Sequence, residues 1–107
     1  MGSIVTRYEG ISIRSGYTRE CRHHLIFGRG KRELAEADGL WIPLLNKEHN
    51  MGSMLCEQIH DNPSAEYLSK LCGQLAFEKE FYRRQLFSAD QDPARDVFRT
   101  RYGESYA

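Results

Sequence analysis

The chain has 107 residues, 40% of them hydrophobic and 28% charged, which suits one domain with a modest core and is too short for two. Its 15 basic and 15 acidic side chains cancel, so no global charge recruits a polyanion and any nucleic-acid contact must rest on local charge. No apolar run approaches the length that spans a bilayer, and Met1 to Arg7 lack a secretory pattern, so a cytoplasmic protein with no membrane contact is expected.

Residues 1 to 20 alternate weakly, with Ile4, Val5 and Tyr8 in one piece and Ile11 and Ile13 in the next, and are read as two short extended pieces. A strand over residues 22 to 27 ends at the break Gly28-Arg29-Gly30. A short helix over Lys31 to Ala37 follows, closed by Gly39, and then a second strand over Leu40 to Leu45 with Pro43 near its end or on an edge. Asn46 is the expected N-cap of a helical turn that contains His49, and Asn50 to Ser53 reads as a broken segment.

The clearest helix starts with Asn62 as N-cap and Pro63 at the first helical position. Leu68, Leu71, Cys72, Leu75, Ala76, Tyr82 and Leu86 recur at helical spacing and are expected to face the core, with Gly73 allowing a close contact. A last helix, announced by Asp92-Pro93, runs through Val97 and Phe98 to Gly103. The expected class is α+β: a strand pair followed by a helical C-terminal half. Cys21, Cys56 and Cys72 are odd in number and form no C-x-x-C pair, so they are read as buried free thiols rather than a disulfide framework.

Three of the four histidines, His23, His24 and His49, lie in or just after the strand pair, and His60 follows closely. Neighbouring strand residues point to opposite faces, so His23 and His24 must have different jobs. Neutral imidazoles are common ligands for divalent metals, and one beside such a site can serve as general base because its pKa lies near neutrality. Arg29, Lys31 and Arg32 follow the strand and are candidates to grip phosphates. Arg83, Arg84, Arg95, Arg99 and Arg101 form a second basic set whose aromatic neighbours, Phe81, Tyr82, Phe87, Phe98 and Tyr102, are expected to pack the core.

The order His23-His24-Leu25-Ile26-Phe27-Gly28, a short charged helix, Asp38-Gly39-Leu40, Pro43-Leu44 and His49 resembles the HNH, or ββα-metal (His-Me finger), nucleases. It is most similar to small phage-associated HNH-like proteins that carry a His-His-Ile-Phe-Gly strand. Ile59-His60-Asp61-Asn62 and Arg101-Tyr102-Gly103-Glu104-Ser105-Tyr106 extend the likeness over roughly residues 20 to 106. The resemblance implies one HNH-like domain over residues 1–107: extended pieces at 1–20, a ββα-like core at 21–60 and helices at 62–102. It also implies a divalent metal (Mg²⁺, Mn²⁺ or Zn²⁺) between hairpin and helix, and cleavage of DNA phosphodiester bonds. By position, His23 and His49 match metal ligands, His60 a further ligand, and His24 the base that activates water.

The sequence departs from that pattern at two places. The second of the family's C-x-x-C pairs falls on Leu45 and Glu48 and the first is absent, so a hydrophobic replacement and no structural zinc knuckle are expected. The middle asparagine falls near Asp38-Gly39, leaving Asn46 as a displaced candidate to orient the base. The rival reading is a non-catalytic protein that keeps the fold, such as a phage anti-defence (anti-CRISPR-type) inhibitor acting in the host cytoplasm on a host or phage protein. Zero net charge and the two departures favour that rival, and the histidines favour the nuclease. An exposed strand edge makes a homodimer a further expectation.

Overall fold

The computed structural model describes residues 1–84 and 93–107. Strands β1 (Cys21–His24) and β2 (Trp41–Leu44) pair antiparallel, with His23 opposite Ile42 and His24 opposite Trp41. The Leu25 N–H donates to Leu40 O at 2.9 Å and extends the ladder to the end of the connection. That connection holds helix α1 (Lys31–Asp38), one residue longer than expected. Its cap, Gly39, has φ 72°, and a Cβ there would lie 2.5 Å from the Gly2 carbonyl, so the helix stops where only glycine fits.

Residues 1–20 hold turns and one isolated bridge, Ile11 to Thr18, rather than the two extended pieces expected. Their backbone is anchored instead by single bonds to β2 and its approach: Ile4 N–H to Gly39 O at 2.9 Å and Ile13 N–H to Pro43 O at 3.0 Å. Pro43 thus lies on an outer edge, where its missing N–H costs the ladder nothing. Helix α2 (Asn46–His49) starts at the expected cap itself: Leu45 holds the N-cap position and Asn46 is the first helical residue. The donor is satisfied from inside, since Leu45 N–H bonds to the Glu48 carboxylate at 2.8 Å. Glu48 also takes the Ser12 hydroxyl at 2.6 Å and is buried, so the Leu45/Glu48 pair is bridged by polar contacts and not by the hydrophobic replacement expected.

A 3-10 turn (Leu55–Glu57) leads to α3 (Pro63–Arg84), whose N-terminus Asn62 caps by accepting the Ala65 N–H at 3.3 Å. Helix α4 (Pro93–Tyr102) packs back on α3 and ends at Gly103. The expected cap Asp92, with Leu86 and Phe87, lies outside the described residues. The core gathers Ile26, Ala35, Leu40, Phe98 and Tyr102, with Phe77 edge-on to Phe98 at 5.4 Å.

The face that α3 turns inward is the expected one only in part: Ala76 packs against the core and Leu71 is half-buried. Ser69, Gly73, Gln74 and Glu78 are buried, whereas Leu68 and Leu75 are 57% and 48% exposed and Cys72 is exposed. The inward positions serve polar needs and one steric one. Gln74 bonds Glu78 at 2.7 Å and the Tyr106 N–H at 2.6 Å, tying down the C-terminal tail. Gly73 admits Ile26, whose Cδ1 would sit 2.7 Å from an added Cβ. Cys56 is exposed too, so neither it nor Cys72 is the buried thiol expected, while Cys21 is half-buried. No described helix is long and apolar enough to cross a membrane.

Candidate metal centre

β1 sends its two histidines to opposite faces, as its pleat requires. His23 points toward α3 and is fully buried, while His24 faces α1 and meets Glu36 at 3.4 Å. His49 closes α2, and the returning chain runs beside it: Ile59 N–H bonds Glu48 O at 3.1 Å and His60 N–H bonds His49 O at 3.0 Å. Those two backbone bonds bring His60 alongside His49, Nε2 to Nε2 at 3.0 Å. The rings of His23, His49 and His60 then stand 4.6–5.2 Å apart, and each can offer a ligand nitrogen within 4.8 Å of the others.

Ser69 sets the tautomer of His23. Its hydroxyl donates to the Leu25 carbonyl at 2.9 Å, so its single proton is used and it must accept from His23 Nε2–H at 2.7 Å. The lone pair of His23 is thereby left on Nδ1, which is buried and has no hydrogen-bond partner. Glu66 approaches His60 Nδ1 at 3.5 Å, and a carboxylate there favours Nδ1–H, which leaves His60 Nε2 to face the other imidazoles. Phe27 closes the group on one side, edge-on to His60 at 4.7 Å.

Burial, followed by the neighbouring His49, His60 and His24, pushes His23 down to about 3. Burial and then His60 push His49 down to about 4. Both imidazoles are therefore neutral at pH 7, which is the form that binds metal. The described group His23, His49 and His60 can hold a metal ion.

Comparison with protein-family models, with curated proteins and with solved structures returns no match, so the site is read from its own geometry.

A cleft of about 300 Å³ opens over this centre, lined by Arg22, His24, Phe27, Gly28, Arg32, His49, Asn50 and His60. Of the expected phosphate contacts, only Arg32 reaches it. Arg29 is exposed outside the lining, and Lys31 is held by the Tyr106 hydroxyl at 3.2 Å and Glu104 at 3.8 Å. Asn46 is also outside: it is exposed and its N–H bonds Glu20 at 2.9 Å, so the amide at the cleft is Asn50. The second basic set is matched by carboxylates, with Arg83 and Arg84 on Glu80, Arg95 on Glu78, Arg99 on Asp96 and Arg101 on Asp38.

Sequence reasoning missed Ser69, Glu66, Glu36, Arg22 and Asn50. Ser69 and Glu66 lie three residues apart on one helix, a spacing that puts both on one face, but nothing in the sequence said the histidines would stand opposite. Glu36 takes both Arg22 and His24. Burial alone would raise its carboxyl, but those two partners outweigh it and hold it below the usual carboxylate range.

Proposed function

We propose that the protein is a metal-dependent phosphodiesterase of HNH type that cleaves DNA, with a ββα-metal core formed by β1, β2 and α2. The observation that carries the reading is the orphaned Nδ1 of His23. A fully buried lone pair with no partner is costly, and a cation shared with His49 and His60 would satisfy it. An all-imidazole donor set suits Zn²⁺ better than Mg²⁺ or Mn²⁺, which prefer oxygen ligands. When bound, the ion supplies Lewis acidity toward a phosphoryl oxygen.

The chain's own residues supply the rest. Glu36 accepts from His24 Nε2–H and leaves Nδ1 as the basic nitrogen that takes the proton of the attacking water. Arg32 and Arg22, both at the cleft, hold the non-bridging oxygens, and the Asn50 amide can orient the incoming water. The likeness to phage-associated HNH-like proteins supports the same chemistry.

One observation favours the binding-protein reading: Asn46, the expected orienting asparagine, is exposed and away from the cleft. Nicking of supercoiled plasmid with Zn²⁺, Mn²⁺, Mg²⁺ or Ni²⁺, alongside metal analysis of the purified protein, separates the two. The nuclease predicts bound metal in the wild type and in His24→Ala, no metal in His49→Ala, and nicking reduced by about 10²–10⁴-fold in His24→Ala. Folded, metal-loaded protein that cuts nothing would transfer the reading to a protein that binds a host or phage partner.

A further inference from the structure

The segment after α4, residues 103–107, lies along α3 and is held there by named side chains. The fully buried Gln74 amide serves it twice: Oε1 accepts the Tyr106 N–H at 2.6 Å, and Nε2 donates to the Ser105 hydroxyl at 2.9 Å as well as to Glu78. The Tyr67 hydroxyl donates to the Tyr106 carbonyl at 3.1 Å, and the Tyr106 ring meets buried Phe98 at 6.1 Å. A buried amide whose hydrogen bonds go to one segment fixes where that segment lies.

What the segment holds in turn is Lys31. Its ammonium bonds the Tyr106 hydroxyl at 3.2 Å and lies 3.8 Å from the Glu104 carboxylate. The lysine stem runs beside the cleft: its Cδ is 3.7 Å from where a Cβ on Gly28 would stand, and Gly28 lines the cleft together with Arg32. Lys70 joins the segment to the same wall, its ammonium 5.7 Å from the Tyr106 ring centre and 4.6 Å from that of Phe27.

We propose that residues 103–107 are an autoinhibitory strap, in which Glu104 and the Tyr106 hydroxyl keep the Lys31 ammonium from the phosphates that the cleft binds. The inference rests on the phosphodiesterase reading of that cleft. While the strap holds, a phosphate that takes Lys31 must first break both contacts and gains about as much as it loses, so the lysine adds little. Once released, its flexible four-carbon stem lets the ammonium turn past Gly28 and supply one further phosphate contact.

Fluorescence anisotropy of a short labelled DNA duplex, titrated with the full chain as purified and with no metal added, tests this. Glu104→Gln/Tyr106→Phe removes both groups that hold Lys31 and keeps the Tyr106 ring and its backbone bonds, so its circular dichroism spectrum should match that of the wild type. The double variant should bind the duplex about threefold to tenfold more tightly, and the slope of log affinity against log salt should steepen by about 0.9, the equivalent of one phosphate. Glu104→Gln by itself, at a side chain 57% exposed, should give part of the gain. Lys31→Ala should change binding by the wild type less than about twofold and abolish the gain of the double variant. A gain that survives Lys31→Ala would be an effect of overall charge and would overturn the strap. Binding by the wild type that the double variant leaves unchanged would overturn the strap and spare the DNA reading, whereas no binding by either chain would overturn both.

Discussion

The N-terminal half of α3 presents Glu66 and Ser69 to imidazoles, whereas two turns further on the same helix presents Phe77 to Phe98 and Tyr102. The aromatic end is complete in itself: Phe98 is fully buried and stacks on Tyr102 at 4.6 Å, and the Tyr102 hydroxyl donates to Asp38 at 2.7 Å. At the histidine end a buried nitrogen is left without a partner. One region stabilises the chain by packing; the other is polar, costly to bury, and can hold a metal ion.

The largest test of that contrast is Phe98→Ala. Loss of a fully buried aromatic should destabilise the chain by about 3–5 kcal/mol in denaturant melts, by the same amount with Zn²⁺ or with chelator present. Chelator itself should lower the melting temperature of the wild type and leave that of His49→Ala where it was. A Phe98→Ala penalty that depends on metal would merge the two regions into one.

Ser69→Ala sharpens the comparison at the histidine end. It removes the acceptor that fixes the tautomer of His23 while leaving every proposed ligand in place, so metal affinity should fall about 10–100-fold in a competition titration. An unchanged affinity would mean that Ser69 fills space and orients nothing.

Acid acts on the same end through smaller steps. His23 and His49 have folded pKa values of about 3 and about 4, against about 6.5 in an unfolded chain, so between those limits the unfolded state binds more protons. Stability of the metal-free protein is therefore fully present above about pH 6.5 and is lost as pH falls toward 4, at up to about 1.4 kcal/mol per pH unit for each histidine. Urea titrations at stepped pH should show this slope, and His23→Ala should reduce it.

Much of this was legible in the sequence, and what was not has physical reasons. The strand pair, the glycine breaks and both proline-led helices follow from local rules, and the residues expected to share a metal are the ones that the fold brings together. Periodicity located the stripe on α3 but could not say which way it faces. Leu68 and Leu75 point out because Ser69, Gly73 and Gln74 are needed inside, for a histidine, for Ile26 and for the C-terminal tail. Asn46 has the residue type of a cap, yet the cap position falls one residue earlier, on Leu45, whose N–H is taken by the Glu48 carboxylate. Such a substitution of one acceptor for another is invisible until the side chains are placed.

Trp41 is the only tryptophan in the chain. It is fully buried opposite His24, its indole N–H donates to the Met1 carbonyl at 3.0 Å, and the Arg22 guanidinium lies over its ring at 4.1 Å. Its emission is therefore a built-in optical reporter for a single place, the hairpin face that carries His24. An anion that draws Arg22 off the indole would change the fluorescence intensity without any added label, and loss of the hairpin would shift the spectrum to the red as the ring meets water.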